Sequence, residues 1–335
     1  MTAVGPGQPV VLDVDTGVDD ALALLYALAC DRLDLRAVTC VGGNAPLPEV
    51  LANTLAVMTV GGGGDVPVLA GHAHPATGPR AAAEAWHGAD GLMGCRPDPA
   101  EPPGRPAGGP PAAPSDAPAV ARASTEHAVA GLAALLRSGQ EPVTLVPLGP
   151  HTNVADLLLR HPDEAARLRA VHFMGGSGVG GNVTAAAEFN VHHDPEATAV
   201  VLAAPVPVSM YGLDVFEQVR LPRADVERLR ASVRPALALA GRLCAASAAR
   251  SGTDDAGLGD AGAVAALVRP DLVGAVRRPV AVQVGEGPGR GATVVDRRPR
   301  TGDDPDGAHL VDVVETVDGP ALARHWLDTL LAAYG

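Results

Sequence analysis

The sequence predicts an open α/β fold, in which a single, mostly parallel sheet is flanked by helices. Apolar, strand-like runs alternate with segments of helical periodicity, and polar or glycine-rich loops follow the strands. Such alternation is typical of right-handed β-α-β units. The chain has 335 residues, of which 47% are hydrophobic and 19% charged, so it can bury a substantial core. We therefore expect one α/β domain over residues 1–335.

The alternation can be followed through the first two thirds of the chain. The predicted strands are residues 9–12, 33–41, 66–69, 143–148, 170–174 and 206–210. The predicted helices between them are residues 19–30, 49–59, 125–137, 153–160 and 195–204. The pattern then predicts one long helical region from residue 223 to about residue 250, several strands from residue 279 onward and a closing helix over residues 321–333.

A proline-rich stretch interrupts this pattern. Residues 97–118 contain nine prolines among 22 positions, with several glycines and alanines between them. Such a composition favours neither a helix nor a paired strand. Because the strand and helix pattern resumes directly afterwards, we interpret residues 97–118 as a mobile insertion within the domain and not as a linker.

Composition narrows the classes of partner and compartment. The formal charge is −13, which argues against a nucleic-acid partner, since such a partner requires a basic surface. Neither a secretory leader nor a run of transmembrane length is expected. The four cysteines are far apart and form no C-x-x-C pair, which suits the reduced thiols of a cytoplasmic protein. All 25 basic residues are arginine, and only five asparagines occur.

The strongest motif is V-V-L-D-V-D-T-G-V-D-D, residues 10–20. An apolar strand ends at Asp13 and Asp15, a glycine permits a turn, and Asp19 and Asp20 begin the next helix. In an open α/β sheet, ligands bind at this edge of the strands. Four neighbouring carboxylates repel one another unless a cation lies between them, and oxygen ligands favour Ca²⁺ or Mg²⁺. The simpler alternative, helix capping, explains two of these acids but not four.

A second motif, residues 174–190, follows a predicted strand. It contains a G-x-G-x-x-G pattern, but no helix opens after it, so it is a weak nucleotide signature. Its more informative members are Asn182, Glu188 and Asn190. Amides and a carboxylate together offer the donors and acceptors that a polyhydroxylated ligand needs. The alternative is a loop that satisfies its own backbone.

Taken together, these residues resemble the inosine-uridine-preferring nucleoside hydrolase family. The first motif matches the family's D-x-D-x-x-x-D-D hallmark. Further matches, in the expected order, are V-G-G-N at 41–44, W-H-G-A-D-G at 86–91, P-L-G-P-H-T-N at 147–153, G-N-V-T-A-A-A-E-F-N at 181–190, G-L-D-V at 212–215 and D-A-G-A-V-A at 260–265. The resemblance implies a Rossmann-like nucleoside hydrolase fold and an enzyme that hydrolyses the N-glycosidic bond of a ribonucleoside, purine or pyrimidine. It also implies a homo-oligomer, either a dimer or a tetramer.

The resemblance also implies roles for individual residues around a bound Ca²⁺. The expected metal ligands are Asp15, Asp20, Asp260 and the main-chain carbonyl of Leu148. Asp15 is expected to be the general base for the metal-bound water as well. The residues expected to hold the ribose hydroxyls are Asp19, Asn44, Asn182, Glu188 and Asn190. Asp13 and His87 are expected to support the site without contacting the substrate.

Two departures from the family pattern concern the leaving base. Many family members have a histidine, and others a tryptophan, immediately before the acid that corresponds to Asp260, whereas this chain has Gly259. The helical stretch expected near the base, residues 223–250, contains no aromatic residue. We therefore expect weak activity on inosine. The family's usual G-L-D-V-T ends here in Phe216, with no catalytic consequence evident from the sequence.

Two other functions fit parts of the sequence. Without an acid for the leaving group, the chain could be a non-catalytic or strongly impaired homologue that binds a ribosyl ligand. The segment Asp13-Val14-Asp15-Thr16 also resembles the start of a haloacid-dehalogenase-type phosphatase. Those enzymes rely on a downstream lysine, and this chain has no lysine. They also give no account of residues 181–190.

Overall fold

A nine-stranded sheet forms the centre of the molecule, which we describe from a computed structural model covering residues 7–78, 87–97, 120–139, 141–299 and 308–335. The strand order is β10-β9-β11-β6-β5-β4-β1-β2-β3. The seven strands from β11 to β3 in this order pair in parallel, while β9 runs antiparallel to both β10 and β11. This mostly parallel sheet confirms the predicted fold class.

The strands follow the apolar runs of the sequence closely in the first part of the chain. Their bounds are β1 Gln8–Val14, β2 Leu33–Cys40, β3 Val68–Ala70, β4 Thr144–Pro147, β5 Ala170–Met174, β6 Val208–Tyr211, β9 Val273–Val282, β10 Thr293–Val295 and β11 His309–Val317. Two short strands, β7 (Arg220–Leu221) and β8 (Ala256–Gly257), form a separate antiparallel pair.

Helices cover both faces of the sheet. They are α1 Val18–Ala29, α2 Leu47–Val60, α3 Ala128–Ser138, α4 Thr152–Arg160, α5 Pro162–Ala165, α6 Phe189–His193, α7 Pro195–Leu202, α8 Leu213–Phe216, α9 Arg223–Arg230, α10 Pro235–Ser251, α11 Asp260–Val268 and α12 Gly319–Tyr334. One apolar cluster joins the sheet to α1, α2, α10, α11 and α12, and a second joins the other face to α3, α4 and α7. Burial on both faces explains why the parallel strands are almost continuously apolar.

The position of β1 determines where a ligand can bind. β2 lies on one side of β1 and β4 on the other, so the chain leaves β1 in one direction and later returns on its opposite side. The loops after β1 and β4 therefore diverge and leave a crevice at the carboxyl ends of the strands. Asp15 and Leu148 follow these two strands directly.

Two of the predicted boundaries were wrong. The helical region predicted from residue 223 to about residue 250 consists of two helices, α9 and α10, which pack against each other. Pro235 is the first residue of α10, and because proline lacks an N–H it suits a helix start better than a helix interior. The C-terminal strands also begin earlier than residue 279, because β9 already starts at Val273.

The described helices include none with the length and apolar character needed to cross a membrane. The predicted mobile insertion lies outside the described residues, except for residue 97.

Candidate active site

The loop after β1 folds back so that Asp20 binds its backbone. The carboxylate of Asp20 accepts hydrogen bonds from the backbone N–H groups of Asp15, at 3.2 Å, and Gly17, at 2.9 Å. Asp20 thus caps the start of α1, as the capping alternative proposed, yet it is fully buried beside Asp15. Asp20 therefore caps the helix and also belongs to the acidic cluster.

Asn44, which follows β2, connects two of the acids. Its backbone N–H donates to Asp15 Oδ2 at 2.7 Å, and its side-chain amide donates to Asp15 Oδ1 at 3.1 Å. The same amide donates to Asp20 Oδ2 at 3.2 Å. Gly43 allows this close approach, since a Cβ atom there would lie 2.1 Å from Asp15 Oδ2. The orientation of the Asp15 carboxylate is therefore fixed by Asn44, in the loop after β2.

Asp13 lies deeper, below the loop. Its Oδ1 accepts hydrogen bonds from the Thr39 hydroxyl at 2.5 Å and from the Asn153 amide at 2.8 Å. Its Oδ2 is buried without a hydrogen-bond partner among the described residues. Burial raises the pKa of Asp13 to about 6, although both hydrogen bonds act in the opposite direction.

Three carboxylates from two different elements come together at the cavity wall. One oxygen from each of Asp19, Asp20 and Asp260 lies within 4.8 Å of the other two, and Asp260 is the first residue of α11. Burial and the charge of Asp19 raise the pKa of Asp20 to about 7. Burial raises the pKa of Asp15 and of Asp260 well above the usual range, with repulsion from the neighbouring aspartates adding to it.

The second sequence motif supplies a neighbouring wall. Glu188 is buried at the start of α6, where its carboxylate accepts hydrogen bonds from the N–H groups of Gly176, Asn190 and Val191. Burial raises its pKa to about 7. The Asn190 amide donates to the carbonyl of Leu148 at 2.6 Å. Asn182 is exposed, and its side-chain oxygen accepts from the backbone N–H of Phe189 at 2.9 Å.

These groups line one open cavity of about 350 Å³. Every predicted substrate-binding residue lines it, together with two of the predicted metal ligands. These residues are Asp19, Asn44, Asn182, Glu188, Asn190, Leu148 and Asp260. The predicted ligands Asp15 and Asp20 lie just behind the wall, since both are bonded to Asn44. The structure therefore brings together residues that are separated by up to almost 250 positions in the sequence.

His87 also lines this cavity. The backbone N–H of Val18 points toward His87 Nδ1 at 3.4 Å, and burial lowers the pKa of the imidazole below its ordinary value. A Cβ atom at residue 17 would lie 2.5 Å from His87 Nδ1, so Gly17 is required for this contact. The imidazole thus packs directly against the loop that carries Asp15 and Asp19.

The other part of the cavity was predicted only in part: Gly259 and two residues of the 223–250 stretch expected near the base, Ser247 and Arg250, lie there, whereas most of its lining was not expected. It is lined by Val18, Met93, Met174, Val183, Phe189, Phe216, Glu217, Arg220, Ser247, Arg250, Ser251, Gly257 and Gly259. Two of these side chains, Phe189 and Phe216, are aromatic, although the predicted base-contacting stretch has no aromatic residue. The sequence signal for this aromatic surface is Phe216, which stands where the family pattern ends in threonine.

The donor set suits a hard divalent cation. Asp15, Asp20 and Asp260 offer oxygen donors. Burial and the repulsion from neighbouring aspartates raise the free energy of their charged forms. A cation among them would offset that cost, which is the electrostatic reason why such clusters bind metal ions. The amides and the carboxylate of Glu188 on the adjoining wall suit hydroxyl groups.

The whole chain is similar to known nucleoside hydrolases in sequence. A family model described as "Inosine-uridine preferring nucleoside hydrolase" matches residues 10–324. The pyrimidine-specific ribonucleoside hydrolase RihA of Citrobacter koseri is 37% identical over 311 residues, covering 91% of this chain and 93% of the relative. The RihA of Photobacterium profundum is 34% identical over 296 residues, covering 87% of this chain and 89% of the relative.

Solved structures show the same similarity. A plant nucleoside hydrolase, PpNRh1, superposes with a TM-score of 0.83 at 27% identity, covering 98% of this chain and 100% of the other. A purine-preferring ribonucleoside hydrolase from Gardnerella vaginalis superposes with a TM-score of 0.80 at 27% identity, covering 98% and 99% of the two chains.

Proposed function

Because the chain belongs to the inosine-uridine preferring nucleoside hydrolase family, it is a hydrolase of N-glycosyl bonds, and we propose that it cleaves ribonucleosides into ribose and free base at the cavity described above. The observation that carries the proposal is that carboxylates at the starts of α1 and α11 meet beside Glu188 and Asn190 on the adjoining wall. Acids for a cation and polar groups for a sugar thereby face one cavity.

The metal site consists of Asp15, Asp20, Asp260 and the carbonyl of Leu148, and the metal is Ca²⁺. The all-oxygen donor set supports this choice. Among the described residues, the carboxylate group with the closest mutual approach contains Asp19 in place of Asp15, whose oxygens are bonded to Asn44. When bound, the ion supplies a Lewis acid that lowers the pKa of a coordinated water.

Asp15 is the general base that takes the proton of the attacking water. Its two bonds from Asn44 fix the direction of its carboxylate, which general-base catalysis requires. The transition state of glycosidic cleavage carries positive charge on the sugar. The surrounding carboxylates stabilise that charge.

The ribose hydroxyls are held by Asp19, Asn44, Asn182, Glu188 and Asn190. All five line the cavity, and three of them, Asn44, Glu188 and Asn190, are buried with their orientation fixed by hydrogen bonds. Fixed polar groups of this kind place the sugar in a reactive position. Asp13 supports the loop from below through Thr39 and Asn153, and His87 supports it from the cavity side.

The substrate class that the relatives favour is the pyrimidine ribonucleosides. The sequence relatives at 34–37% identity are named as pyrimidine-specific, whereas a solved structure at 27% identity is named as purine-preferring. Because Gly259 offers no proton to the leaving base, inosine is a weak substrate.

The experiment is a screen of purified protein against uridine, cytidine, inosine, adenosine and 4-nitrophenyl riboside. Each assay is run after treatment with a chelator and again after adding back CaCl₂ or MgCl₂. We expect hydrolysis of at least one pyrimidine nucleoside, loss of activity with chelator and recovery with calcium. The nitrophenyl riboside needs little acid assistance, so failure on all five substrates with calcium present would refute the proposed function. Recovery with magnesium but not calcium would refute the choice of metal.

The enzyme is further proposed to be a cytoplasmic homo-oligomer, a dimer or a tetramer. The four cysteines, Cys30, Cys40, Cys95 and Cys244, are free thiols, which suits a reducing compartment. Light scattering coupled to size-exclusion chromatography tests the assembly, and a monomer at micromolar concentration would contradict it.

A further inference from the structure

Gly259 and Phe216 compete for the same space at the cavity wall. Gly259 has φ +53°, a backbone conformation that other residues rarely adopt. A Cβ atom at this position would lie 2.4 Å from Asp19 Oδ2 and 2.9 Å from Phe216 Cζ. Any side chain at 259 would therefore displace Asp19, the ring of Phe216 or the loop itself. Because residue 259 has no side chain, the ring of Phe216 can lie close to the backbone of Gly259.

The position of Phe216 is fixed by the short helix that carries it. Leu213 N–H donates to the carbonyl of Gly176 at 3.0 Å. The carboxylate of Asp214 accepts from the N–H of Gly178 at 2.8 Å and from Arg297 Nη2 at 3.1 Å. α8 is thus bound to the glycine-rich loop after β5, and the ring keeps a defined distance from the polar wall of the cavity.

The cavity lining offers two kinds of surface. Around Asp19, Glu188 and Asn190 it consists of carboxylates and amides, which suit the hydroxyls of a sugar. The rest of the lining mixes charged and polar side chains, such as Arg220 and Ser247, with the apolar ring of Phe216. Phe216 is partly buried and contacts the main core, so it offers a rigid apolar surface next to Asp19. A planar ring attached to the sugar needs such a surface.

We propose that Phe216 is a specificity-determining residue that stacks against the aromatic base of the substrate, and that Gly259 is required to leave room for its ring. The inference rests on the proposed function and deepens it, because it names the group that recognises the leaving base. It also gives a reason why a chain with few aromatic residues has a phenylalanine at the end of G-L-D-V. Selection by this ring acts on shape and aromaticity and supplies no proton.

The test compares two inhibitors, an iminoribitol without a substituent and the same compound with a phenyl group in the position of the base. Their dissociation constants are measured by calorimetry with calcium present, for the wild type, Phe216→Ala and Phe216→Leu. We expect Phe216→Ala to weaken binding of the phenyl compound about tenfold and to change binding of the unsubstituted compound less than about twofold. Phe216→Leu keeps part of the apolar volume, so its affinity for the phenyl compound should lie between those of the wild type and Phe216→Ala.

Kinetics provide the second readout. For the best nucleoside of the screen, KM should rise in Phe216→Ala while kcat changes less, because stacking in the bound substrate is lost and the polar groups remain. Val233→Ala, in the turn between α9 and α10, is the control, since Val233 is 90% exposed. Equal weakening of both inhibitors in Phe216→Ala, or weakening of neither, would overturn the inference. If the wild type binds neither compound and cleaves no nucleoside, the proposed function itself has failed.

Discussion

Asn53 donates a hydrogen bond from its side-chain amide to the main-chain carbonyl of Thr16 at 3.0 Å. The same amide donates to the carbonyl of Asp90 at 2.8 Å, and its oxygen accepts from Arg96 Nε at 2.5 Å. Asn53 is fully buried on α2 and therefore ties the loop after β1, which carries Asp15, to the segment that carries His87. It is the one asparagine that lies outside the motifs of the sequence.

Replacing Asn53 should damage both stability and activity. Asn53→Ala leaves the buried carbonyl of Thr16 without this donor and leaves the carbonyl of Asp90 with Arg96 alone, so we expect the free energy of unfolding to fall by about 2 kcal/mol, measured by urea denaturation. Because the two loops lose their common anchor, kcat/KM should fall as well. Asn53→Asp has the same shape but presents an acceptor to the two carbonyls. It should be at least as damaging, and an unaffected Asn53→Asp would show that the amide donor is not needed.

Asn53 illustrates what could be predicted from the sequence and what could not. The strand and helix pattern was sufficient for the fold class, and the four aspartates at the end of β1 and the start of α1 were sufficient to predict an acidic cluster at the carboxyl ends of the strands. Both are local patterns. The role of Asn53 depends on Thr16 and Asp90, which are 37 residues away in either direction. No local pattern contains that information.

Most of the cavity lining beyond the polar wall could not be predicted, for the same reason. Phe216, Arg220 and Gly257 reach it through short elements whose packing is set by distant segments. The lack of room for a side chain at Gly259 also depends on Asp19 and Phe216, which are distant in the sequence. The break between α9 and α10 could have been predicted locally, since Pro235 is an ordinary helix-start signal.

Asp15→Asn should abolish turnover without unfolding the protein. A general base contributes about 10² to 10⁴ in rate, so kcat should fall by at least about a hundredfold. The fold should stay intact in the absence of metal, because the substitution removes a buried charge that repels Asp20 and loses only one of the two hydrogen bonds from Asn44. Asp34→Asn, at a half-buried position on β2 where Asp34 pairs with Arg36, is the control far from the cavity and should behave as the wild type. Near-normal rates in Asp15→Asn would refute its role as base.

Gly259→Ala should lower activity through Asp19. The added Cβ atom lies 2.4 Å from Asp19 Oδ2, so the carboxylate must move and the KM for nucleosides should rise several-fold. Gly62→Ala is the control, because Gly62 also has positive φ, +80°, but nothing lies within 4 Å of its added Cβ. It should lose about 1 kcal/mol of stability from backbone strain and keep its activity.

The lack of room beside Gly259 also predicts the effect of introducing a histidine at this position. Gly259→His introduces a proton donor of the kind many family members have, but its Cβ meets the same two neighbours, Asp19 and Phe216. We therefore expect lower, not higher, kcat/KM on inosine. A clear gain in inosine cleavage would show that the loop adapts and that this steric argument is wrong.

His172 should make the protein sensitive to mild acid. It lies on β5, fully within the core, where its Nε2 pairs with the carbonyl of Ala263 at 3.1 Å and its Nδ1 has no hydrogen-bond partner among the described residues. Burial lowers its pKa to about 4. The unfolded chain takes up a proton at this histidine near pH 6.5, whereas the folded chain does so only near pH 4, so stability is complete above pH 6.5 and declines as the pH falls between these values.

The size of this effect can be isolated by a double comparison. At pH 5 the difference for His172 amounts to about 2 kcal/mol. His172→Phe should be less stable than the wild type at pH 7, because Ala263 loses its partner, but its loss of stability from pH 7 to pH 5 should be smaller by that amount. Burial also lowers the pKa of His151, to about 3. Its contribution to the pH dependence of stability is the same in both proteins and cancels in the comparison. His74→Gln, at an exposed position, should show the full wild-type decline. Identical declines in His172→Phe and the wild type would show that His172 is not the acid-sensitive group.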